Sequence, residues 1–150
     1  MNLSYSLDGT GWATASFQDG DSEVALTASY LHDSLGDLAQ SAIDLRKGES
    51  TSTVVFMDEP GEHHLVLSQN RDGVLVLELR WFDDWASWGM YPADQFDVVY
   101  TAQTTVDEFI AVVFRTLEQV LAEWGLEGYK KKWIEHPFPK KVFRKLSDIP

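Results

Sequence analysis

The sequence predicts an α+β fold: a single curved, mostly antiparallel sheet of about seven strands, two main helices packed on one face, and a short basic helix in the C-terminal tail. Three observations carry this expectation. Short stretches with an apolar residue at every second position are separated by turns rich in Gly and Asp, as in strands joined by hairpins. Two longer stretches repeat their apolar residues at helical spacing and open on capping residues. Finally, 150 residues with 44% apolar content suffice for one domain with a substantial core, so residues 1 to 150 read as a single unit.

Leu3, Tyr5 and Leu7 mark the first strand, and Gly9-Thr10-Gly11 turns it into a second that runs from Trp12 to Phe17. Asp19-Gly20-Asp21 then leads to Val24, Leu26, Ala28 and Tyr30 at period two, and the three strands make a meander. Asp33 or Ser34 offers an N-cap, with Asp37 placed to return a bond to Ser34. Leu35, Leu38, Ala39, Ala42 and Ile43 recur every three or four positions, and Arg46, Lys47 and Gly48 suit a helix C-terminus. A helix over 34 to 47 follows. Strands resume at Thr53 to Met57, His63 to Ser68 and Val74 to Phe82, with turns at Glu59-Pro60-Gly61 and Asn70-Arg71-Asp72-Gly73. After an irregular stretch, Phe96 to Ala102 alternates again. Thr105 and Glu108 form a capping box, and Phe109, Val112, Val113, Leu117, Val120, Leu121 and Trp124 make one stripe of a helix ending near Trp124.

Charge divides the chain. Its net charge is −12, yet residues 1 to 125 carry 5 basic and 21 acidic side chains, and residues 126 to 150 carry 7 basic and 3 acidic. An acidic body repels polyphosphates and anionic lipid and attracts basic proteins, so nucleic acid and membrane are disfavoured as partners. The basic, aromatic tail over 129 to 150 is expected to dock on that acidic body, its apolar side packed and its charges compensated, rather than to act as a nucleic-acid arm. The absence of cysteine excludes disulfides, thiolate metal sites and a cysteine nucleophile. Met1-Asn2-Leu3-Ser4-Tyr5-Ser6 lacks the basic start and apolar core of an export signal, and the longest apolar run, Phe109 to Phe114, is six residues. A cytoplasmic location follows as an expectation.

The stretch from Trp81 to Tyr100 holds the candidate site. It contains Trp81, Phe82, Trp85, Trp88, Tyr91, Phe96 and Tyr100 together with Asp83, Asp84, Asp94 and Asp97, and between 83 and 95 no periodicity supports helix or strand. Large aromatics on such a loop either fold back to cap the sheet or remain outside to bind. Trp and Tyr anchor protein interfaces, and carboxylates beside them suit a Lys- or Arg-rich partner. On this reading Asp83, Asp84, Trp85, Trp88, Tyr91 and Asp94 form a partner-binding surface. Other chemistry finds little purchase. His63 and His64 are neighbours on a strand and point to opposite faces, and His32 and His136 stand apart, so no metal site is expected. No nucleophile elbow, phosphate loop or dinucleotide fingerprint occurs, and no catalytic residue or cofactor is assigned.

Gly9-Thr10-Gly11-Trp12-Ala13, Ser29-Tyr30-Leu31 with Leu35-Gly36-Asp37-Leu38, Glu59-Pro60-Gly61-Glu62 and Glu135-His136-Pro137-Phe138-Pro139 together resemble a group of small bacterial α+β proteins of uncharacterised activity. The layout of a strand meander, a short Leu-rich helix, further strands and a long C-terminal helix is similar to that of immunity proteins that neutralise bacterial toxins, such as those guarding against cell-wall-associated tRNA nucleases. The resemblance implies a non-catalytic acidic module that inhibits a basic toxin or nuclease. The alternative is a small-molecule-binding domain or enzyme whose pocket lies between the sheet and the aromatic loop. A homodimer built on exposed aromatics is compatible with either.

Overall fold

In the computed structural model, which describes residues 1–148, three strands form a first antiparallel sheet: β1 (Asn2–Leu7), β2 (Trp12–Asp19) and β3 (Ser22–Ser29). Helix α1 (Ser34–Arg46) leads to a second sheet of four antiparallel strands, β4 (Thr51–Met57), β5 (Glu62–Gln69), β6 (Val74–Phe82) and β7 (Asp97–Thr105), in sequential order. Helices α2 (Val106–Trp133) and α3 (Lys140–Ser147) complete the chain.

The α+β class holds, but the strands do not make one sheet of seven. They form sheets of three and four, because β3 and β4 are not hydrogen-bonded to each other. The first turn of α1 accounts for the break. The Val55 N–H donates to Asp37 Oδ2 (3.1 Å), and the Val55 carbonyl accepts from the Ser34 hydroxyl (2.8 Å). Both polar backbone groups at the middle of β4 are therefore satisfied by α1 rather than by a neighbouring strand. Asp33, not Ser34, is the N-cap, its side chain accepting from the Gly36 amide. Nor do the two main helices share one face of one sheet: α1 packs on β4, and α2 packs on α1 and along β1.

Ala13, Ala15 and Phe17 of β2 alternate with half-buried residues and are fully buried. Phe17 joins the sheets: its ring lies 6.1 Å from Phe56 of β4, edge to face, and 6.4 Å from Tyr100 of β7. The two alanines before it leave room for that approach, since small side chains let neighbouring elements close in. Leu75, Leu77 and Leu79 supply the inner face of β6, and Phe109, Val113 and Leu117 that of α2; all six are fully buried in one shared apolar core.

Helix α2 extends beyond the expected end near Trp124. Gly125 adopts φ 68°, ψ 177°, which breaks the helical path, a conformation that glycine reaches without steric cost. A second helical segment then runs to Trp133. It exists because Tyr129 and Trp133, four residues apart, lie on one face and are both fully buried, with Trp133 edge-on to Tyr5 of β1 at 6.3 Å. The Tyr5 and Tyr129 hydroxyls have no hydrogen-bond partner among the described residues, and burial holds both phenols well above the usual tyrosine range.

The tail packs by apolar contact. Phe138 and Leu146 are buried, Phe143 stacks on Phe114 of α2 at 5.2 Å, and the Lys145 carbonyl accepts from Arg46 of α1. The tail's lysines and arginine form no side-chain ion pair with the body: among the described residues, the side-chain ion pairs are His32–Asp37, His64–Glu62 and Arg80–Glu78.

Phe17 is the packing residue most exposed to test. Phe17→Ala removes a ring from the junction of two sheets and is expected to cost about 3–5 kcal/mol in chemical denaturation. A loss below about 1 kcal/mol would show that the two sheets hold together without it.

Candidate functional site

The aromatic loop follows from how β6 ends. In β5 and β6, Leu65, Leu67, Leu77 and Leu79 face the core, so the opposite alternation places Glu62, His64, Arg80 and Phe82 on the outer face of the sheet. An outer face is ordinarily wet, yet Glu62 and Phe82 are almost completely buried. The loop between β6 and β7 covers them: Phe96 lies 5.6 Å from Phe82, and Arg80 sits over the Phe96 ring at 4.3 Å.

Glu62 is the point of attachment. Its carboxylate accepts from the Ser87 hydroxyl (2.8 Å), from the Ser87 amide (3.0 Å) and from His64 Nε2. Burial opposes its ionisation, but the bonds from His64 and Ser87 outweigh that effect and hold the carboxyl below its usual range. Hydroxyl, carboxylate and imidazole meet here with the carboxylate in the middle. A nucleophilic serine needs the imidazole as its immediate base, so this order suits a clamp rather than acyl transfer.

The clamp holds a short 3₁₀ turn over Ala86–Trp88. Asp84 Oδ1 accepts from the Trp85 amide (2.8 Å), the Trp88 and Met90 amides both donate to the Trp85 carbonyl, and Gly89 closes the turn with φ 74°. Trp85 is half-buried, its indole N–H donating to the Asp58 carbonyl in the β4–β5 turn (2.8 Å), and Trp88 packs edge-on against it at 4.9 Å.

The six residues expected to bind a partner thus take different positions. Trp85 and Asp84 are committed to the loop's own architecture. Asp83 is exposed and accepts from the Trp81 indole (2.9 Å) and, at 3.5 Å, from the Tyr91 hydroxyl; Asp94 is exposed. Tyr91 is half-buried, and Trp88 is 52% exposed. Residues outside the expected set join them: Met90 is 56% exposed, and Val98 and Val99 at the start of β7 are 49% and 44% exposed. The sequence carried a signal for the last two, a Val-Val pair after Asp97, but periodicity assigned both to an ordinary alternating strand. In fact the ladder slips between Leu79 and Arg80, so that Leu79 pairs with Tyr100 and Arg80 with Val98, which leaves Val99 as a bulge.

A pocket between sheet and loop, which the small-molecule alternative requires, amounts to a cleft of about 220 Å³ lined by Trp81, Asp83, Tyr91, Gln95, Phe96 and Asp97. Sites that enclose small ligands generally start near ~300 Å³. A larger hollow of about 510 Å³ lies elsewhere, between the second half of α2 and the tail, lined by residues including Leu126, Lys130 and Phe138. Among the described residues, no three His, Asp or Glu side chains converge as a metal site would need, and no helix is long and apolar enough to cross a membrane. No family model, curated protein or solved structure matches the chain.

On the inner face beneath the loop, His63 packs against Trp81 with centroids 4.7 Å apart, its Nδ1 buried without a partner. Gly61 makes that stacking possible, because a Cβ there would lie 2.3 Å from the Trp81 ring. Burial lowers the His63 pKa to about 4 from the ordinary 6.5.

Two outcomes follow. The unfolded chain takes up a proton at His63 near pH 6.5 while the native chain resists until about 4, so stability is lost as pH falls through that window, by at most about 1.4 kcal/mol per unit. His63→Gln is expected to flatten that slope in denaturation measured from pH 7 to 4; an unchanged slope would assign it to other groups. Glu62→Gln replaces charge-assisted bonds with weaker ones and is expected to cost roughly 1–3 kcal/mol. Faster amide exchange over residues 85 to 90, with the β6 amides unaffected, would identify Glu62 as the loop's clamp, and uniform exchange across both would refute that role.

Proposed function

We propose that this chain is a non-catalytic, acidic protein-binding module whose partner is a basic protein, and that loop 83 to 96 carries the contact. The carrying observation is the combination of two large, exposed apolar side chains, Trp88 and Met90, with a backbone that Glu62 and Ser87 hold in place. Exposed apolar groups on a floppy loop would lose much of their binding energy to ordering; groups on a clamped loop do not. The exposed carboxylates of Asp83, Asp94 and Asp97 in the same stretch of chain supply the charge that a Lys- and Arg-rich surface seeks.

Within this reading, an immunity-type inhibitor of a basic toxin or nuclease is the particular case that fits best. Such a partner is cationic because its substrate is a polyanion, and an inhibitor of net charge −12 gains association rate through long-range attraction. Trp88 provides the desolvated anchor, Met90 adapts to the surface around it, and the carboxylates steer.

The test is capture of a basic protein from extract of the native host, followed by kinetics on the purified pair. Trp88→Ala is expected to leave the melting temperature nearly unchanged and to weaken binding by about thirtyfold or more, chiefly through faster dissociation, as for an anchor worth about 2 kcal/mol. Asp83→Asn with Asp94→Asn is expected to slow association and to reduce its dependence on salt. Unfolding by Trp88→Ala, or equal capture by the variant and the native chain, would make the loop a structural cap.

A further inference from the structure

We propose that β7 is a docking edge, and that the basic partner adds an extended segment to it as a fifth strand of the second sheet. The inference rests on the reading of the chain as a binder of basic proteins and assigns the backbone contact that the reading leaves open. It begins from how the strand edges differ. At β1, helix α2 lies alongside, and the Thr116 hydroxyl donates to the Leu3 carbonyl. The edge strand β3 packs against β4 across the gap between the sheets, and at β4 Ser34 and Asp37 occupy both backbone groups of Val55. At β7, β6 hydrogen-bonds one side, and among the described residues no side chain or loop bonds the backbone on the other.

Exposed edges are ordinarily blunted by lysine, proline, shortness or distortion. From Asp97 to Thr105, β7 has nine residues without a lysine, arginine or proline. Its one distortion sits at the Val98–Val99 end, and from Tyr100 to Thr105 the ladder against β6 is regular. Six residues of undistorted edge are what strand addition needs, since backbone hydrogen bonds supply affinity there and alternate side chains supply choice.

Charge selects the occupant. Asp94 and Asp97 lie at one end of the edge and Asp107 at the other, all exposed. Glu108 is already engaged by the Met1 ammonium and the Thr104 hydroxyl. A second copy fits poorly: antiparallel β7 to β7 pairing would bring Asp97 of one chain towards Asp107 of the other at both ends, between bodies of net charge −12 each. A segment alternating β-branched and cationic residues meets carboxylates at both ends instead. Val98, exposed at the Asp97 end of the strand, stands where the flank of such a segment would continue.

The probe is an eight-residue peptide of alternating valine and lysine, compared at low salt with the same peptide carrying glutamate for lysine, and read by amide exchange on the full chain. The expected result is at least about tenfold slower exchange over residues 100 to 105 with the lysine peptide, lost at high salt and absent with the glutamate peptide. Thr101→Pro and Ala102→Pro form the matched pair of variants, because successive amides along a strand point alternately towards and away from its neighbour. The one whose amide points outward is expected to keep the native melting temperature and to lose the protection. Binding of the lysine peptide that quenches tryptophan but leaves β7 exchange unchanged would overturn strand addition while leaving the basic-partner reading intact. Equal protection by both peptides, no binding of either, or β7 protection by self-association without peptide would each overturn the proposal.

Discussion

A carboxylate with no exposure to solvent, that of Glu62, is the constraint on which the binding end of this molecule depends. A buried charge is costly unless its lone pairs are occupied, and here three donors converge on it from His64 and Ser87. One lies on the same strand and two lie twenty-five residues away, so satisfying the charge and pinning the loop are a single event. The pinned loop in turn covers Phe82 with Phe96 and keeps Trp85 against the β4–β5 turn. Trp88 and Met90 are then held outward on a turn whose amides are already used internally. Exposure of these side chains thus results from a locked backbone rather than from local disorder.

The same logic of satisfying backbone groups from a distance explains why the molecule has two sheets. Strand β4 follows α1 after a short connection, and the helix's first turn takes the Val55 backbone groups on the strand's free side, where a neighbouring strand would otherwise pair. The gap between sheets is closed by packing instead, with Phe17 reaching both Phe56 and Tyr100. Dispersion and burial tolerate a range of angles that a hydrogen-bonded ladder does not, so the two sheets share a common core without sharing a ladder. One consequence is asymmetric: the edges at β1 and β4 are met by helix residues, β3 packs against β4, and the edge at β7 is left bare.

Much of the local structure was legible because its signals are local. The first helix, expected over 34 to 47, is observed over Ser34–Arg46, since Asp33 and Gly48 mark its ends within a few residues of it. Strand pairings joined by short turns were legible for the same reason. The split between sheets was not, because it turns on Ser34 and Asp37 meeting Val55 some twenty positions away, and no periodicity encodes that meeting. The second helix was expected to end near Trp124, whereas Gly125 only bends it, and the i, i+4 pair Tyr129 and Trp133 was the available sign that the helix resumes. For the candidate site, composition located the loop but did not sort its residues. Trp85 and Trp88 look equivalent in sequence; only the carbonyl of Asp58 distinguishes the anchor from the exposed ring. Glu62 fell between the expected turn at Glu59-Pro60-Gly61 and the expected strand from His63, although an acid paired across the ladder with Phe82 on an outer face is a mismatch that points to a cover.

The tail completes the electrostatic argument. Seven cations lie in the last twenty-five residues of a chain whose body carries twenty-one acids, and simple attraction would have the two neutralise each other. They do not: the tail is held by Phe138, Phe143 and Leu146 packing against α1 and α2, while Lys130, Lys131, Lys140 and Lys141 remain exposed. Apolar docking thus leaves the carboxylates of the acidic end without ion pairs to the tail. A surface whose carboxylates are not already paired keeps its long-range field, and that field gives an acidic binder its association rate. Fixing the tail through its apolar side leaves both poles of the molecule available to other chains, the acidic one beside a rigid loop and a bare strand edge.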